Sequence, residues 1–337
     1  MKKTKQPLNS FRYSRQELLA QIGIKGQQKV SQSSVAIIGI GALGTTAANL
    51  LVRAGVGKIA LFDRDVIELH NLQRQSIFTE KNVGFPKVAA AKEWLQTVNS
   101  SITINAFPIE INTETISLLQ QYDLLLDCTD NMEVRFLLND FCVKNKKNWI
   151  YCSAVGTKGQ LFVIIQKGPC FACIFSLPAA GSLETCDTSG VLNSVTTAIG
   201  AMQVTETLKI LTNQEPIKEL LAYDAWNHSI QKIAVKKKKE CVCCGKNQFI
   251  FLSGTKETTT AKLCGQGRFQ IKGRNPDFSL LKKRLIPLGT AILSSYGLFF
   301  ETRDKGINFF LFSDGRCLVQ AKTQEEAKRM YGKYVGS

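Results

Sequence analysis

The sequence predicts an α/β protein with a doubly wound, mostly parallel sheet, and three observations support this fold class. Short apolar segments typical of strands alternate with helical segments between residues 34 and 166. A glycine-rich turn joins the first strand to the first helix. Hydrophobic residues make up 44% and charged residues 21% of the 337 residues, which is ordinary for a globular protein with a buried core.

The strands and helices of this region follow one another in regular order. The strand VAIIG (35–39), a helix within TTAANLLVRAG and the strand KIALFD (58–63) form one βαβ unit over residues 34–63. The further predicted elements are the helix 85–99, the strand 102–107, the helix 113–121, the strand 123–128, the helix 131–145 and the strands 149–154 and 159–166. Alternation at this spacing predicts a sheet whose strands are joined by helical crossovers.

The rest of the chain divides into two parts. A helix near 191–212 and strands near 220–235 close the main domain, and the basic sequence KKKKECVCCG marks its end. Residues 250–337 predict a small α+β domain, in which INFFLFSDGRCLVQ forms a hairpin with Asp314-Gly315 as its turn. A final helix, EEAKRMYGKY, follows. Nothing in the sequence of this small domain identifies its role.

The charge balance is basic, with 43 lysines and arginines against 27 acidic residues and a formal net charge of +16. The compact basic runs are MKKTK, KNKK and KKKK, and none is interleaved with aromatic residues. Such runs favour solvated charge, or an acidic protein partner, over nucleic-acid binding. We therefore expect no nucleic-acid partner.

The sequence also bears on cellular location. No run approaches the ~18 apolar residues of a membrane span, and MKKTKQPLNS lacks the apolar region of a signal peptide. The chain has 11 cysteines without an export signal, which argues against a disulfide scaffold. We expect a cytoplasmic protein without membrane contacts, whose cysteines are metal ligands, nucleophiles or buried small residues.

The motif GIGALG follows a strand and opens a helix, as a nucleotide-binding turn in a Rossmann-like domain does. Glycines allow the tight turn, and the helix N-terminus presents free N–H groups to phosphate. The predicted turn residues are Gly39, Gly41, Ala42 and Gly44. Asp63 ends the next strand, where a carboxylate can hold ribose hydroxyls. The motif alone leaves open a nucleotide, NAD, or a turn without a ligand.

Polar residues are dense after Asp63, at the carboxyl edge of the predicted sheet where α/β ligands bind. The further cofactor-binding candidates are Asp65, His70, Asn71, Leu72, Gln73, Arg74, Lys87, Asp130 and Asn131. Two cations with amides suit a triphosphate, and Asp130 suits a Mg²⁺ ion that bridges phosphates. NAD needs neither this metal nor this density of cations. An NAD-dependent oxidoreductase is therefore the runner-up interpretation.

Two CxxC pairs, Cys170 with Cys173 and Cys241 with Cys244, lie far apart in the sequence. Four thiolates at two such turns suit a tetrahedral, structural Zn²⁺ site. Cys243 makes the register of the second pair ambiguous, although only Cys241 with Cys244 keeps the CxxC spacing. The redox alternative lacks the βαβ setting of a thioredoxin-like motif. The remaining cysteines of predicted strands, helices and the tail fit buried small residues.

Five segments, in this order and spacing, resemble the MoeB/ThiF family of sulfur-carrier adenylyltransferases, which are related to the ubiquitin-activating enzymes. They are RYSRQ (12–16), GIGALG (39–44), DRDVIELHNLQRQ (63–75), GFPKV (84–88) and DCTDN (127–131). The resemblance covers residues 10–246. It implies ATP-dependent adenylation of the C-terminal glycine of a small ubiquitin-like sulfur carrier. Many relatives have glycine where this chain has Ala42.

The resemblance also implies roles for individual residues. Asp63 would hold the ribose, and Asp130 would organise Mg²⁺. Asn71, Arg74 and Lys87 would contact phosphates, while His70 would have a positioning or exposed role rather than a catalytic one. Arg15 resembles an arginine that reaches the triphosphate of the partner subunit, which implies a homodimer.

Cys186, in LETCDTSGVL, stands where the family has a candidate nucleophile for sulfur transfer or a thioester. Reactive thiols need a lowered pKa and exposure, and the neighbouring acids Glu184 and Asp187 would raise the pKa of this thiol. The resemblance assigns zinc to the same four cysteines as the spacing does. It further implies a Gly-Gly carrier as protein partner, with a cysteine desulfurase or another sulfurtransferase as a possible second one.

Together these observations predict four regions. Residues 1–30 form an N-terminal helical arm, and residues 31–166 form the Rossmann-like core that binds ATP. Residues 167–246 form the zinc-binding and carrier-binding part of the same adenylation domain, and residues 250–337 form the accessory domain. The sequence does not choose between a molybdopterin and a thiazole carrier. A peptide-antibiotic maturation enzyme on the same scaffold is the alternative that keeps the chemistry and changes the substrate.

Overall fold

The computed structural model describes residues 9–176, 189–254, 267–273, 276–304 and 306–336. Within this part of the chain there are two sheets, one of eight strands and one of five. None of the helices described has both the length and the apolar character that crossing a membrane takes.

The larger sheet follows a helical arm and is built from strands with crossover helices. The arm comprises α1 (Asn9–Arg12), α2 (Ser14–Glu17) and α3 (Gly23–Gln32). The parallel part comprises β1 (Ser34–Ile38), α4 (Ala42–Ala54), β2 (Lys58–Phe62), α5 (Lys87–Val98), β3 (Thr103–Phe107), β4 (Leu124–Asp127), α6 (Met132–Lys144) and β5 (Asn148–Val155). The following elements are β6 (Lys158–Ile164), α7 (Phe171–Ile174), α8 (Asn193–Leu211), β7 (Leu220–Asp224) and β8 (Ser229–Ile233).

The strand order of this sheet is β3-β2-β1-β4-β5-β6-β7-β8. The first five strands pair in parallel, and β6, β7 and β8 add antiparallel pairs. The order reverses between β1 and β4, and such a switch point leaves a crevice at the carboxyl edge of the strands. The predicted doubly wound, mostly parallel sheet is confirmed.

Helices cover both faces of the sheet, and each face has its own apolar core. Consecutive side chains of a strand point to opposite faces, so Ile37 packs with Leu51 of α4 and Leu95 of α5 on one side. Ile38 packs on the other side with Leu138 of α6. β1 is buried on both faces, which explains its uninterrupted apolar sequence.

The predicted α-helix over residues 113–121 is wrong in type and start. A 3-10 helix occupies Ile116–Gln121 instead. The side-chain oxygen of Asn112 accepts hydrogen bonds from the backbone N–H groups of Glu114 and Thr115. This local turn competes with helix formation and delays the helical start.

The smaller sheet is antiparallel and carries two helices. Its elements are β9 (Arg268–Lys272), α9 (Phe278–Leu285), β10 (Gly289–Ser294), β11 (Gly297–Thr302), β12 (Asn308–Phe312), β13 (Arg316–Gln320) and α10 (Gln324–Tyr334). The strand order is β10-β11-β12-β13-β9. The predicted hairpin of β12 and β13 is confirmed, and Gly315 in its turn has a φ of 85°.

The two faces of the smaller sheet pack against different partners. One face packs on α9 and α10 around Phe300 and Phe309. Phe299, Phe310 and Phe312 belong to a second cluster that includes Val66 of the main domain. The small domain therefore rests directly on the chain that links β2 to α5.

Candidate active site and cysteine cluster

The candidate site lies at the carboxyl edge of the parallel strands. Gly39 follows β1, Asp63 follows β2, and the loop that contains Asp130 follows β4. The last residues of these three strands are aligned in the sheet register. The loops that the sequence predicted to carry nucleotide ligands therefore begin side by side.

The glycine-rich turn needs its glycines for physical reasons. Gly39 has a φ of +88°, and a Cβ there would lie 2.7 Å from the carbonyl oxygen of Cys128. At Gly44 a Cβ would lie 1.9 Å from the carbonyl oxygen of Gly39. Ala42 is the first residue of α4, where a side chain is compatible with the turn. The N-terminus of α4, with its free N–H groups, faces this edge of the sheet.

Asp63 is tied to the glycine-rich turn. One carboxylate oxygen accepts a 2.7 Å hydrogen bond from Ile40 N, and the other accepts a 2.8 Å bond from Asp65 N. Burial raises the pKa of Asp63, while Lys87 opposes this rise. A carboxylate has about four acceptor positions, so these two bonds leave capacity for ribose hydroxyls.

Lys87 is the first residue of α5, as predicted, and its side chain is buried in the site. Its Nζ lies 3.3 Å from Asp65 Oδ2. Burial by itself lowers the pKa of Lys87, but Asp63 and Asp65 outweigh it and raise the pKa above its ordinary value. Asp130 contributes in the same direction. Lys87 is therefore a permanent cation close to three carboxylates.

Asp130 is exposed at the end of β4, beside a buried ion pair. Arg135 of α6 donates to Asp127 with an Nε–Oδ2 distance of 3.0 Å. The side-chain oxygen of Asn131 caps α6, because it accepts hydrogen bonds from Glu133 N and Val134 N. This oxygen is therefore already engaged within its own helix. The structure thus gives Asn131 a capping role, whereas Asp130 offers an exposed carboxylate for a metal ion.

The HNLQRQ segment begins with a 3-10 helix, Leu69–Asn71. Asn71 is buried, and Arg74 is half-buried with its Nη1 donating to the carbonyl oxygen of His70 at 3.1 Å. His70 is exposed, in agreement with the role expected for it.

Two further candidates of this segment have contacts of their own. Leu72 packs against the apolar core, so its side chain has a structural role. Gln73 is exposed, and its Nε2 lies 3.5 Å from the carbonyl oxygen of Val191.

Arg15 lies at the opposite edge of the sheet from the other candidates. Its neighbours on the arm bind the C-terminal ends of α4 and α5: Gln16 donates to Ala54 O, and Tyr13 accepts from Asn99. The side chain of Arg15 is exposed on α2. Within one chain, the structure does not bring Arg15 to Arg74, Lys87 or Asp130.

Two residues of this region were not among the predicted site residues. Gln75 is buried beneath the glycine-rich turn, with its Nε2 3.8 Å from a Cβ built on Gly41. Its Oε1 has no hydrogen-bond partner among the described residues. The sequence feature that could have identified Gln75 is its position as the last residue of the polar segment HNLQRQ. Arg135 lies among apolar residues in the first turns of α6, and its buried contact with Asp127 arises only in the folded chain.

The predicted zinc ligands come together as a closed cluster. The Sγ atoms of Cys170, Cys173, Cys241 and Cys244 all lie within 4.8 Å of one another. The separations are 3.6 Å for Cys170–Cys241, 3.4 Å for Cys173–Cys244 and 4.0 Å for Cys170–Cys173. A tetrahedron with Zn–S bonds of about 2.3 Å has S···S edges of about 3.8 Å. The donor set fits a structural zinc ion.

The surroundings of the cluster favour the thiolate form at Cys170, whereas burial raises the pKa values of Cys241 and Cys244. Hydrogen bonds from neighbouring thiols, that of Cys243 foremost, lower the pKa of Cys170 to about 4. Asn139 Nδ2 also approaches this sulfur at 3.7 Å, and Lys238 N approaches Cys173 Sγ at 3.5 Å. Cys243 itself is buried with its Sγ 4.0 Å from Asn139 O, which supports the predicted register of the second CxxC pair.

The other cysteines do not enter the site. Cys128, Cys142, Cys152 and Cys317 are buried, and burial raises the pKa of each thiol. Their expected role as buried small residues is confirmed. Cys186, the predicted nucleophile, lies outside the described residues, as does Cys264.

The chain is similar to known proteins of one family. A model described as ThiF family matches residues 13–244. The sulfur carrier protein ThiS adenylyltransferase of Bacillus subtilis is 36% identical over 336 residues, covering 96% of this chain and 99% of that protein. The adenylyltransferase and sulfurtransferase MOCS3 of Culex quinquefasciatus is 40% identical over 70% of this chain. The match spans 55% of that relative, about half its length.

Solved structures with a similar fold are also known. Escherichia coli MccB, in a crystal structure with ATP, superposes with a TM-score of 0.63 at 23% identity. The match covers 70% of this chain and 74% of MccB. Because the family model covers more than half of the chain and a relative aligns over almost its whole length, the chain belongs to the ThiF family.

Proposed function

We propose that this protein adenylates the C-terminal glycine of a small ubiquitin-like sulfur carrier with ATP and releases pyrophosphate. The observation that supports it most is the convergence of the glycine-rich turn, Asp63, Lys87 and Asp130 at one edge of the sheet. The full-length similarity to a ThiS adenylyltransferase supports the same substrate class.

The chemistry follows from charge. An oxygen of the carrier carboxylate attacks the α-phosphorus of ATP and forms an acyl–phosphate bond. The bond from the α-phosphorus to the bridging oxygen breaks, and pyrophosphate leaves with the electron pair. No general base is needed, because a peptide carboxylate is already ionised at neutral pH. The task of the site is to join two anions, so cations and positioning supply the catalysis.

Each residue has a part in this proposal. The N-terminus of α4 and Asn71 bind phosphate oxygens, and Asp63 holds the ribose. Lys87 and Arg74 neutralise charge as the pyrophosphate leaves. Asp130 would hold Mg²⁺, which would supply positive charge to neutralise the phosphates.

We further propose a homodimer in which Arg15 reaches the triphosphate bound to the partner subunit. Arg15 is exposed and lies at the edge of the sheet opposite to its own site. Around it, the arm exposes Leu18 at 74%, Leu19 at 51% and Ile24 at 66%. Apolar side chains at such exposure mark a surface that another protein covers. A second copy with twofold symmetry would bury both arms at once.

The cysteine cluster has a structural part in this proposal. Cys170, Cys173, Cys241 and Cys244 hold zinc and join the chain after β6 to the chain after β8. The nine cysteines among the described residues form no disulfide with one another, which suits a cytoplasmic protein. Sulfur delivery by a cysteine desulfurase or another sulfurtransferase, with Cys186 as an acceptor, remains a prediction from the resemblance.

The proposal is tested by exchange of labelled pyrophosphate into ATP. We expect exchange only with Mg²⁺ and a carrier that ends in Gly-Gly, and no exchange with the same carrier lacking its last glycine. Assays with a molybdopterin carrier and a thiazole carrier then identify the pathway. Exchange that does not depend on any carrier, or none with either carrier, would contradict the proposal.

A peptide-antibiotic maturation adenylase is the second candidate, because MccB shares the fold. That likeness, at 23% identity, concerns the fold alone. Replacing the carrier by a short precursor peptide in the exchange assay discriminates the two substrates. For the NAD alternative, ATP with Mg²⁺ should raise the Tm of the protein and NAD should not.

A further inference from the structure

The small C-terminal domain contacts the segment that carries the proposed phosphate ligands. We call residues 68–75 the phosphate segment, since they include Asn71 and Arg74. Arg268, the first residue of β9, has its Nε 3.1 Å from Glu68 Oε1. The two side chains are 7% and 16% exposed, so water screens this ion pair little. A charge pair therefore joins the two domains beside the candidate site.

Glu68 in turn holds the start of the phosphate segment. Its side chain accepts from the backbone N–H of Asn71, and its own backbone N–H donates to Asn71 Oδ1 at 3.1 Å. Its second carboxylate oxygen lies 3.3 Å from His70 Nδ1. The orientation of the buried Asn71 depends on where Glu68 is held.

Arg74 is hydrogen-bonded to the two residues that Glu68 contacts, Asn71 and His70. Its backbone N–H donates to Asn71 O at 3.0 Å, and its Nη1 donates to His70 O at 3.1 Å. Displacement of Glu68 would therefore move both the Asn71 amide and the Arg74 guanidinium, the two groups that the proposed function assigns to phosphate. No contact between Arg268 and a ligand is needed for this effect.

Charge gives Arg268 a second influence on the segment. Glu68 is a carboxylate within the segment that receives a highly charged anion, and an unpaired carboxylate there would repel it. Arg268 neutralises Glu68 from the side of the small domain.

The domain is held at this place by close apolar packing. The rings of Phe85 and Phe299 stack with centroids 4.9 Å apart. Gly84 has a φ of +89°, and a Cβ there would lie 2.4 Å from the Phe299 ring. The backbone that leads into Lys87 thus lies directly against the small domain. Such packing keeps Arg268 within reach of Glu68.

We propose that Arg268 is a positioning residue for ATP, which acts by holding Glu68 and through it Asn71 and Arg74. This inference rests on the proposed function and deepens it. It gives the C-terminal domain a role in nucleotide binding that its sequence does not reveal.

The test compares Arg268→Met with Arg316→Met. Arg316 also joins the two domains, through a hydrogen bond from Nη2 to Pro108 O, but makes no contact with the phosphate segment among the described residues. We expect R268M to raise the KM for ATP in pyrophosphate exchange roughly tenfold while kcat changes less than about threefold, since a hydrogen bond to a charged group is lost. R316M should leave the KM for ATP within about twofold of wild type.

Two further variants test whether Arg268 acts by positioning Glu68 and not only by stabilising the fold. Arg268→Lys should recover most of the ATP affinity, because it keeps a cation beside Glu68. Adding Glu68→Gln to R268M should not raise the KM for ATP by the product of the two single effects, because both act through one contact. Should R268M not fold, R268K and E68Q carry the same comparison.

Protection against thermal unfolding by ATP with Mg²⁺ gives a reading that needs no carrier. We expect a smaller rise in Tm for R268M than for wild type at equal ATP. Equal KM and equal protection in R268M and wild type would overturn the inference, as would an equal rise of KM in R316M. If wild type itself shows neither protection nor exchange, the proposed function fails instead.

Discussion

The candidate nucleotide site and the cysteine cluster both bring ionisable side chains together, but the cluster is closed and the candidate site is open. In the cysteine cluster four sulfur atoms lie within 4.8 Å of one another and three of the residues are buried. One cation of the right size would satisfy all four. In the nucleotide site, Asp130 is exposed and Arg74 is half-buried, and they reach the sheet edge from separate loops. We propose that the triphosphate of ATP, which is larger than a single ion, is their common partner.

The difference separates stability from activity. A closed cluster contributes to folding, because its ligands come from distant parts of the chain and the metal joins them. An open site keeps charges available for a ligand, and its parts contribute mainly to the transition state. Changes in the cluster should therefore lower stability first, and changes in the open site should lower activity first.

The largest effect is expected for Asp130→Ala. Loss of the metal-organising carboxylate should reduce carrier-dependent exchange about a thousandfold, with little change in the Tm of the unliganded protein, because Asp130 is exposed. Exchange kinetics and thermal unfolding of the same preparation check both parts. Glu133→Ala, an exposed carboxylate in the first turn of α6, is the matched control and should keep most of the activity.

Lys87→Met should affect both activity and stability, because Lys87 is the buried member of the open site. We expect exchange to fall about a hundredfold and the free energy of unfolding to fall as well, since Asp63 and Asp65 lose their cation. Undiminished stability in this variant would show that the ion pair is not formed.

The pH dependence of this stability has a definite sign. The folded protein raises the pKa of Lys87 above its ordinary value of 10.5. The contribution of Lys87 is therefore fully present below that ordinary value and is lost as the pH rises through the raised one. The difference in unfolding free energy between wild type and K87M should stay constant from about pH 7 to pH 9 and shrink at higher pH.

Arg15→Ala extends the open site across the proposed dimer. Alone, it should lower exchange by roughly tenfold to a hundredfold. Mixed with an equal amount of Asp130→Ala and allowed to exchange subunits, it should recover about a quarter of wild-type activity. In a mixed twofold dimer one site then has both residues and the other has neither, and half of the dimers are mixed. Absence of recovery in verified mixed dimers would place Arg15 outside the partner's site.

The smallest effect on the chemistry is expected for Cys173→Ser. This change should release zinc and lower the Tm by roughly 10 °C, while exchange at low temperature stays within about threefold of wild type. Metal analysis and thermal unfolding check this. Cys243→Ser is the control, since Cys243 lies outside the four-sulfur set, and it should retain zinc.

The main sheet and the positions of its glycine-rich turn, Asp63 and Lys87 were predictable because they follow from local patterns. Strand and helix periods alternate, and a parallel sheet brings strand ends to one edge. The four cysteines of the cluster were predictable from spacing alone. The type of the helix at 116–121 was not, because the Asn112 side chain forms a competing turn.

Other features depend on tertiary contacts that a linear pattern does not contain. Asn131 was predicted to bind the nucleotide cofactor, but the oxygen of its side chain caps α6. Gln75 was missed because its burial beneath the glycine-rich turn arises only from the folded chain. The contact of Arg268 with Glu68 joins residues 200 positions apart in the sequence. The local sequence around each of these residues is ordinary, and their roles depend on contacts that form only in the folded chain.

The central claim is that the site joins a carrier carboxylate to the α-phosphorus of ATP. The most direct measurement incubates enzyme, Mg²⁺ and a Gly-Gly carrier with ATP labelled at the α-phosphate or, in parallel, at the γ-phosphate. The account predicts that label enters the carrier from the α position alone and that the D130A enzyme transfers none. Transfer from the γ position, or labelling of a carrier without its terminal glycine, would contradict it.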